Sequence, residues 1–267
     1  WPLGADAQKM PEFKPPECAT LEFTFGDKDV PDEYLIATRM MTLSLTRYNA
    51  AVDDEENFYL YDENRIKVYD SDGKAKAIIG GPGQGPGEFD QSIECWPTVG
   101  PEGHVAALYR DSPQYCYSVY APDYTYLKNI HSHYFNGGTV HRCPVIPLND
   151  TDYLIQDYAQ RQEDAVQYTN FRLKYFAGES ETIVAEYDTP TDVLDANAQM
   201  GLKYTGDLYW NLIDPGTMAY IHTRQDAISE NGEHRYIIHL YDLDSGERRQ
   251  VSYQYQPIRF TGEDKMY

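Results

Sequence analysis

Few of the features that most often declare a function are present in this chain. Only 4 of its 267 residues are cysteine, and Cys18, Cys95, Cys116 and Cys143 form no C-x-x-C pair, which excludes a zinc ribbon or a thioredoxin-type motif. No apolar run approaches the roughly 18 residues that span a bilayer. Basic residues are scarce, 22 against 43 acidic ones, and the net charge is −21. A surface of that sign repels phosphate backbones and anionic membranes, so nucleic acid is not an expected partner. Gly-x-Ser-x-Gly is absent, and Asp244-Ser245-Gly246 falls in a predicted turn, so acyl transfer has no anchor. No long amphipathic helical period occurs, although Thr191 to Leu202 reads as a short helix. The first seventeen residues, with Pro2, Pro11, Pro15 and Pro16, hold no charged-then-apolar leader, and the chain reads as mature or trimmed.

Tyrosine is abundant: 25 residues, within an aromatic content of 14%. A tyrosine suits a half-buried strand, its ring on the sheet and its hydroxyl in water, so this composition points to an all-β fold before it points to a ligand. At 267 residues one compact core is hard to build. Small sheets fanned about an axis avoid that limit.

Residues 58 to 89 narrow the architecture further. Tyr59-Leu60-Tyr61 is broken by Asp62-Glu63-Asn64, Ile66 to Asp70 by Asp70-Ser71-Asp72-Gly73, and Ala75 to Ile79 by the glycine-proline run from Gly80 to Gly87. Three short strands followed by a sharp corner make most of one propeller blade. The glycines do not read as a phosphate loop, because Gly87 leads into Glu88-Phe89-Asp90 with no Lys-Ser/Thr ending and no helix behind it.

The same passage resembles the NHL-type six-bladed β-propeller repeats of exported bacterial proteins. The matching residues are Asp62, Asn64, Arg65, Ile66, Val68, Tyr69, Asp70, Asp72, Gly73 and Lys74, then Ile79, Gly80 and Gly83 to Phe89. The resemblance implies an exported protein, periplasmic or at the cell surface, and a ring of six blades. Leu21 to Gly26 extends it as a leading strand, and Tyr241 to Gly246 repeats the blade hairpin.

An aromatic before a polar turn marks each blade: Tyr69, Tyr120, Tyr175 and Tyr241. Their wide spacing implies loop insertions between blades. The expected fold is therefore a β-propeller of four-stranded antiparallel blades, with four equivalents at roughly 36 to 80, 92 to 131, 140 to 187 and 206 to 253. Residues 1 to 19 read as an extended N-terminal segment and 20 to 267 as the propeller domain. Tyr253 to Tyr267 reads as the lead into a further blade, and Leu21 to Phe25 is an alternative outer strand closing the ring.

His131, His133 and His141 are the metal candidates. If Asn136-Gly137-Gly138 closed a hairpin, His133 would oppose His141 and zinc ligation would follow. In a propeller that loop joins two blades and separates the histidines. Asp70-x-Asp72 and Asp242-x-Asp244 resemble calcium loops but lack the remaining ligands, and aspartate with glycine also builds tight turns. No cofactor is assigned, with calcium and zinc left open. Cys95 and Cys143 are either a disulfide or two buried thiols, since spacing does not supply the bond geometry. Asn149-Asp150-Thr151 is a glycosylation sequon. Asp53 to Glu56 is an acidic run whose carboxyl separations the sequence does not fix.

These readings favour a non-catalytic exported module that binds or scaffolds a protein or glycan through loops and blade faces. A metal-dependent lyase or lactone hydrolase of the NHL-like group is one alternative. A structural subunit of an extracellular assembly, homo-oligomeric or multi-subunit, is the other.

Overall fold

The computed structural model describes residues 30–36, 50–89, 97–111, 114–132, 145–163, 166–191, 206–230 and 233–256. They form four antiparallel sheets arranged as the blades of a propeller. The first blade is β1 (Ala50–Val52), β2 (Phe58–Asp62), β3 (Arg65–Tyr69) and β4 (Ala75–Ile79). The second is β5 (Pro97–Val99), β6 (Val105–Asp111), β7 (Gln114–Tyr120) and β8 (Tyr126–Ser132). The third is β9 (Val145–Pro147), β10 (Tyr153–Glu163), β11 (Val166–Ala177) and β12 (Ser180–Thr191). The fourth is β13 (Leu208–Asp214), β14 (Thr217–His222), β15 (Ala227–Glu230), β16 (Glu233–Asp242) and β17 (Arg248–Tyr255).

Turn chemistry sets the strand ends. Glu63 and Asn64 both adopt positive φ, 53° and 59°, which closes the β2–β3 hairpin with a two-residue turn whose twist matches the strands. The Asp70 carboxylate accepts the backbone N–H of Asp72 and Lys74, and Gly73 supplies a φ of 78° between β3 and β4. Asp242 does the same work before β17, accepting the N–H and hydroxyl of Ser245. Of the four aspartates in the two loops that resemble calcium sites, Asp70 and Asp242 are thus bound into their own turns.

The glycine-proline corner after β4 folds back on itself. Phe89 donates its N–H to the Gly81 carbonyl, and its buried ring lies against Gly80, whose φ is 70°. The carboxylate that the corner's glycines embrace is the chain's own Glu88, which accepts the Gly85 N–H at 2.7 Å.

Alternation along each strand sends successive side chains to opposite faces, and in the inner blades both faces are covered. Val105 and Ala107 of β6 join Tyr59, Ile66, Val68 and Ile79 in the core between the first two blades. Ala106 and Leu108, one residue out of phase, meet Val145 and Ile155 of the third blade. Leu154, Phe171 and Leu173 then pack on Leu208, Met218 and Tyr220 of the fourth. Near the axis, Thr98 of β5 donates its hydroxyl to the Val145 carbonyl of β9. A Cβ at Gly100 would collide with the Pro147 carbonyl, so the innermost strands approach as closely as glycine allows.

Two departures from the expected blades have physical causes. The second strand of the fourth blade is interrupted: β14 and β15 pair in succession along one edge of β16, with Thr223 to Asp226 looped out between them, while β17 takes the other edge. The third blade's strands run to 11 and 12 residues because Gln160 to Glu163 continue the β10–β11 ladder as far as the Glu163–Val166 pair.

The two end faces differ. On the first blade, Lys67 is fully buried, pairs with Asp62 at 2.6 Å and reaches the Leu35 carbonyl, while the Tyr69 hydroxyl reaches the Tyr34 carbonyl. Residues 31 to 35 thereby strap that face. On the fourth blade, Tyr209, Ile213, Val251 and Tyr253 are 50 to 60% exposed.

Candidate functional site

Three inner hairpins converge at one end of the axis: Asp53 to Asn57, Gly100 to Gly103, and Asp214 with Pro215. With Ile146 of the third blade they enclose a cavity of about 540 Å³ to which all four blades contribute. Five carboxylates line it, Asp53, Asp54, Glu55, Glu102 and Asp214, against the single cation Lys76.

Asp53 organises this mouth. One carboxylate oxygen accepts the N–H of Glu55 and Asn57, and the other accepts the Asn57 amide at 2.7 Å and the Tyr59 hydroxyl at 2.9 Å. Burial pushes the Asp53 carboxyl up, but these hydrogen bonds outweigh it and leave it below the ordinary carboxylate range. Burial and the bond to Asp53 in turn raise the Tyr59 hydroxyl far above its usual value. Tyr124 stands edge-on to Tyr59 with a φ of 69°, a conformation that costs a non-glycine residue about 1 kcal/mol or more. Among the described residues the lining holds no histidine, cysteine or serine. Its chemistry suits a polar or cationic group.

A second cleft, of about 660 Å³, opens between the third and fourth blades along β12 and β17. Asp226 is its centre. The carboxylate accepts the Tyr187 hydroxyl at 2.9 Å, the His222 N–H at 2.7 Å and, on its other oxygen, Nε2 of His239 at 2.9 Å. Behind it His222 is completely buried, stacked on Tyr187 with ring centres 4.9 Å apart. Tyr220 stacks on His239 at the same separation. Burial is the first cause raising the hydroxyls of both tyrosines.

Of the acidic run noted in the sequence, Asp53, Asp54 and Glu55 line the axial cavity, whereas His131 and Asn149 belong to neither place. His131 is exposed at the end of β8, while His133, His141, Cys95 and Cys143 lie outside the described residues. Cys116 is buried in β7. Asn149 sits in the β9–β10 turn, its side-chain oxygen accepting the N–H of Thr151 and Asp152 and its amide donating to the Asp152 carboxylate. Among the described residues no group of three or more His, Cys, Asp or Glu is placed to hold a metal ion. No helix there is long and apolar enough to cross a membrane. The Asp226 cluster escaped the sequence reading because Tyr187, His222 and His239 are far apart in the chain. Only the four-residue step from His222 to Asp226 marked it locally.

No protein-family model matches the chain, and neither does any curated protein. Among solved structures it matches a candidate exported protein of Bacteroides fragilis NCTC 9343, at 13% identity over 77% of this chain and 70% of that one, with a TM-score of 0.31.

Proposed function

We propose that this chain belongs to an exported, non-catalytic propeller of the NHL-type six-bladed kind, which binds or scaffolds a protein or glycan partner. Export rests on the likeness of residues 58 to 89 to repeats of exported bacterial propellers. The observation that carries the further part of this reading, that the four blades are not the whole assembly, is the far face of the fourth blade. Register places Tyr209, Ile221, Leu240, Ile238 and Val251 on that one side of the sheet, opposite the side that packs on the third blade. Apolar side chains so arranged are what the three internal joints bury, and contiguous exposure of this kind marks a contact surface. The occupant is a further antiparallel sheet with an apolar face. It comes either from more of the same ring or from a partner.

Sedimentation equilibrium on the protein isolated from its source, with intact mass of its chains, tests this. The expected particle exceeds the 30.7 kDa of the chain described, by the mass of at least one further blade. A monodisperse 30.7 kDa particle at all concentrations would overturn it.

A further inference from the structure

We propose that His222 is a proton-operated latch for the joint between the third and fourth blades. Its Nδ1 faces two backbone donors, the N–H of Gln225 at 3.1 Å and that of Arg224 at 3.4 Å. A nitrogen facing two N–H groups holds its place as a lone pair, so the ring is neutral and its proton sits on Nε2. From there it bonds to the Thr189 hydroxyl of β12 at 3.0 Å. A second proton would turn Nδ1 into a donor pointing at donors.

The enclosure leaves the ring nowhere to turn. Gly206 lies so close that a Cβ there would stand 2.6 Å from Cε1, and Phe171 and Tyr187 of the third blade close two further sides. The ionisable groups around it are Asp207 ahead of β13, Arg224 and Asp226 in the loop, and Tyr187 on β12. Burial outweighs the two carboxylates and lowers the imidazole below its ordinary value of 6.5.

Release of this ring reaches the joint directly. The loop from Thr223 to Asp226 is held by Nδ1 and by the Asp226 N–H on the His222 carbonyl, and Asp226 carries the Tyr187 bond between the two blades. Gln225 adds a second tie across the joint, its amide donating to the Asp188 carbonyl. His239 of β16 is the further titratable group against Asp226, through Nε2. The folded joint takes up a proton less readily than the opened one. Its stability is therefore whole above about pH 6.5 and falls as the pH drops below that value.

Amide hydrogen exchange at Arg224 and Gln225, corrected for intrinsic rates, reads the latch. Opening is expected to rise, by up to about tenfold, between pH 7.5 and pH 5.5 in the native protein. In His222→Asn, whose side-chain oxygen can replace Nδ1 as acceptor, opening is faster at pH 7.5 but flat down to pH 5.5. Parallel acid dependence in both proteins, or none in either, overturns the proposal. Should the variant not fold, nitrogen NMR of native His222 at pH 7.5 decides: a proton on Nε2 alone supports the latch, and a proton on Nδ1 overturns it.

Discussion

Phe89 shows how one side chain can close a blade. Its ring is fully buried among Tyr61, Tyr120 and Val68, and its backbone returns to Gly81, so the corner and the core between the first two blades share a single anchor. Truncating a buried phenylalanine costs about 3–5 kcal/mol in transfer and cavity terms. Phe89→Ala is expected to lower the urea midpoint by that measure. Gly80→Ala acts on the same contact from the other side. It forces a side chain into a φ of 70° and into the Phe89 ring, so a loss of about 1–2 kcal/mol or more is expected in the same titration. Equal stability of either variant with the native chain would show that the corner does not pack as described. These positions were legible in the sequence, since glycine and proline in alternation specify a bend; which ring fills it was not.

At the level of elements, the strap over the first blade is held by the Tyr69 hydroxyl and by the lysine of a buried ion pair. Lys67 and Asp62 have side chains 0% and 1% exposed, and the lysine also holds the Leu35 carbonyl. Removing one partner from such a pair typically costs about 3–5 kcal/mol, whereas replacing both with apolar groups is often neutral. Lys67→Ala should therefore be strongly destabilising in chemical denaturation, and Lys67→Met combined with Asp62→Leu should recover most of the loss. A single variant as stable as the double one would mean that the pair is not buried. The strands β2, β3 and β4 were readable because each ends in aspartate, asparagine or glycine turn chemistry. The pairing of Lys67 with Leu35 was not, because Lys-Val-Tyr reads as an ordinary alternating strand whose lysine belongs in water. The interruption between β14 and β15 was hidden for a related reason: Thr223 to Asp226 contains no glycine or proline, and the loop is held by His222 and Asp226 through contacts that the register alone does not reveal.

Across the whole molecule, period-two alternation tells which residues share a face but not whether that face is covered. That is why the contrast between the strapped first blade and the bare fourth one was not legible. The axial cavity was legible only in part: the run from Asp53 to Glu56 stood out, but Glu102 and Asp214, which complete the acidic lining, come from hairpins far along the chain. The account depends most on the far face of the fourth blade being a joint and not a finished surface. Hydroxyl-radical footprinting of the protein as isolated from its source tests this directly. Tyr209 and Tyr253 should be oxidised as slowly as Tyr220 and Tyr241, which are 5% exposed within the joint to the third blade. Oxidation of Tyr209 and Tyr253 at the rate of free tyrosine would contradict it.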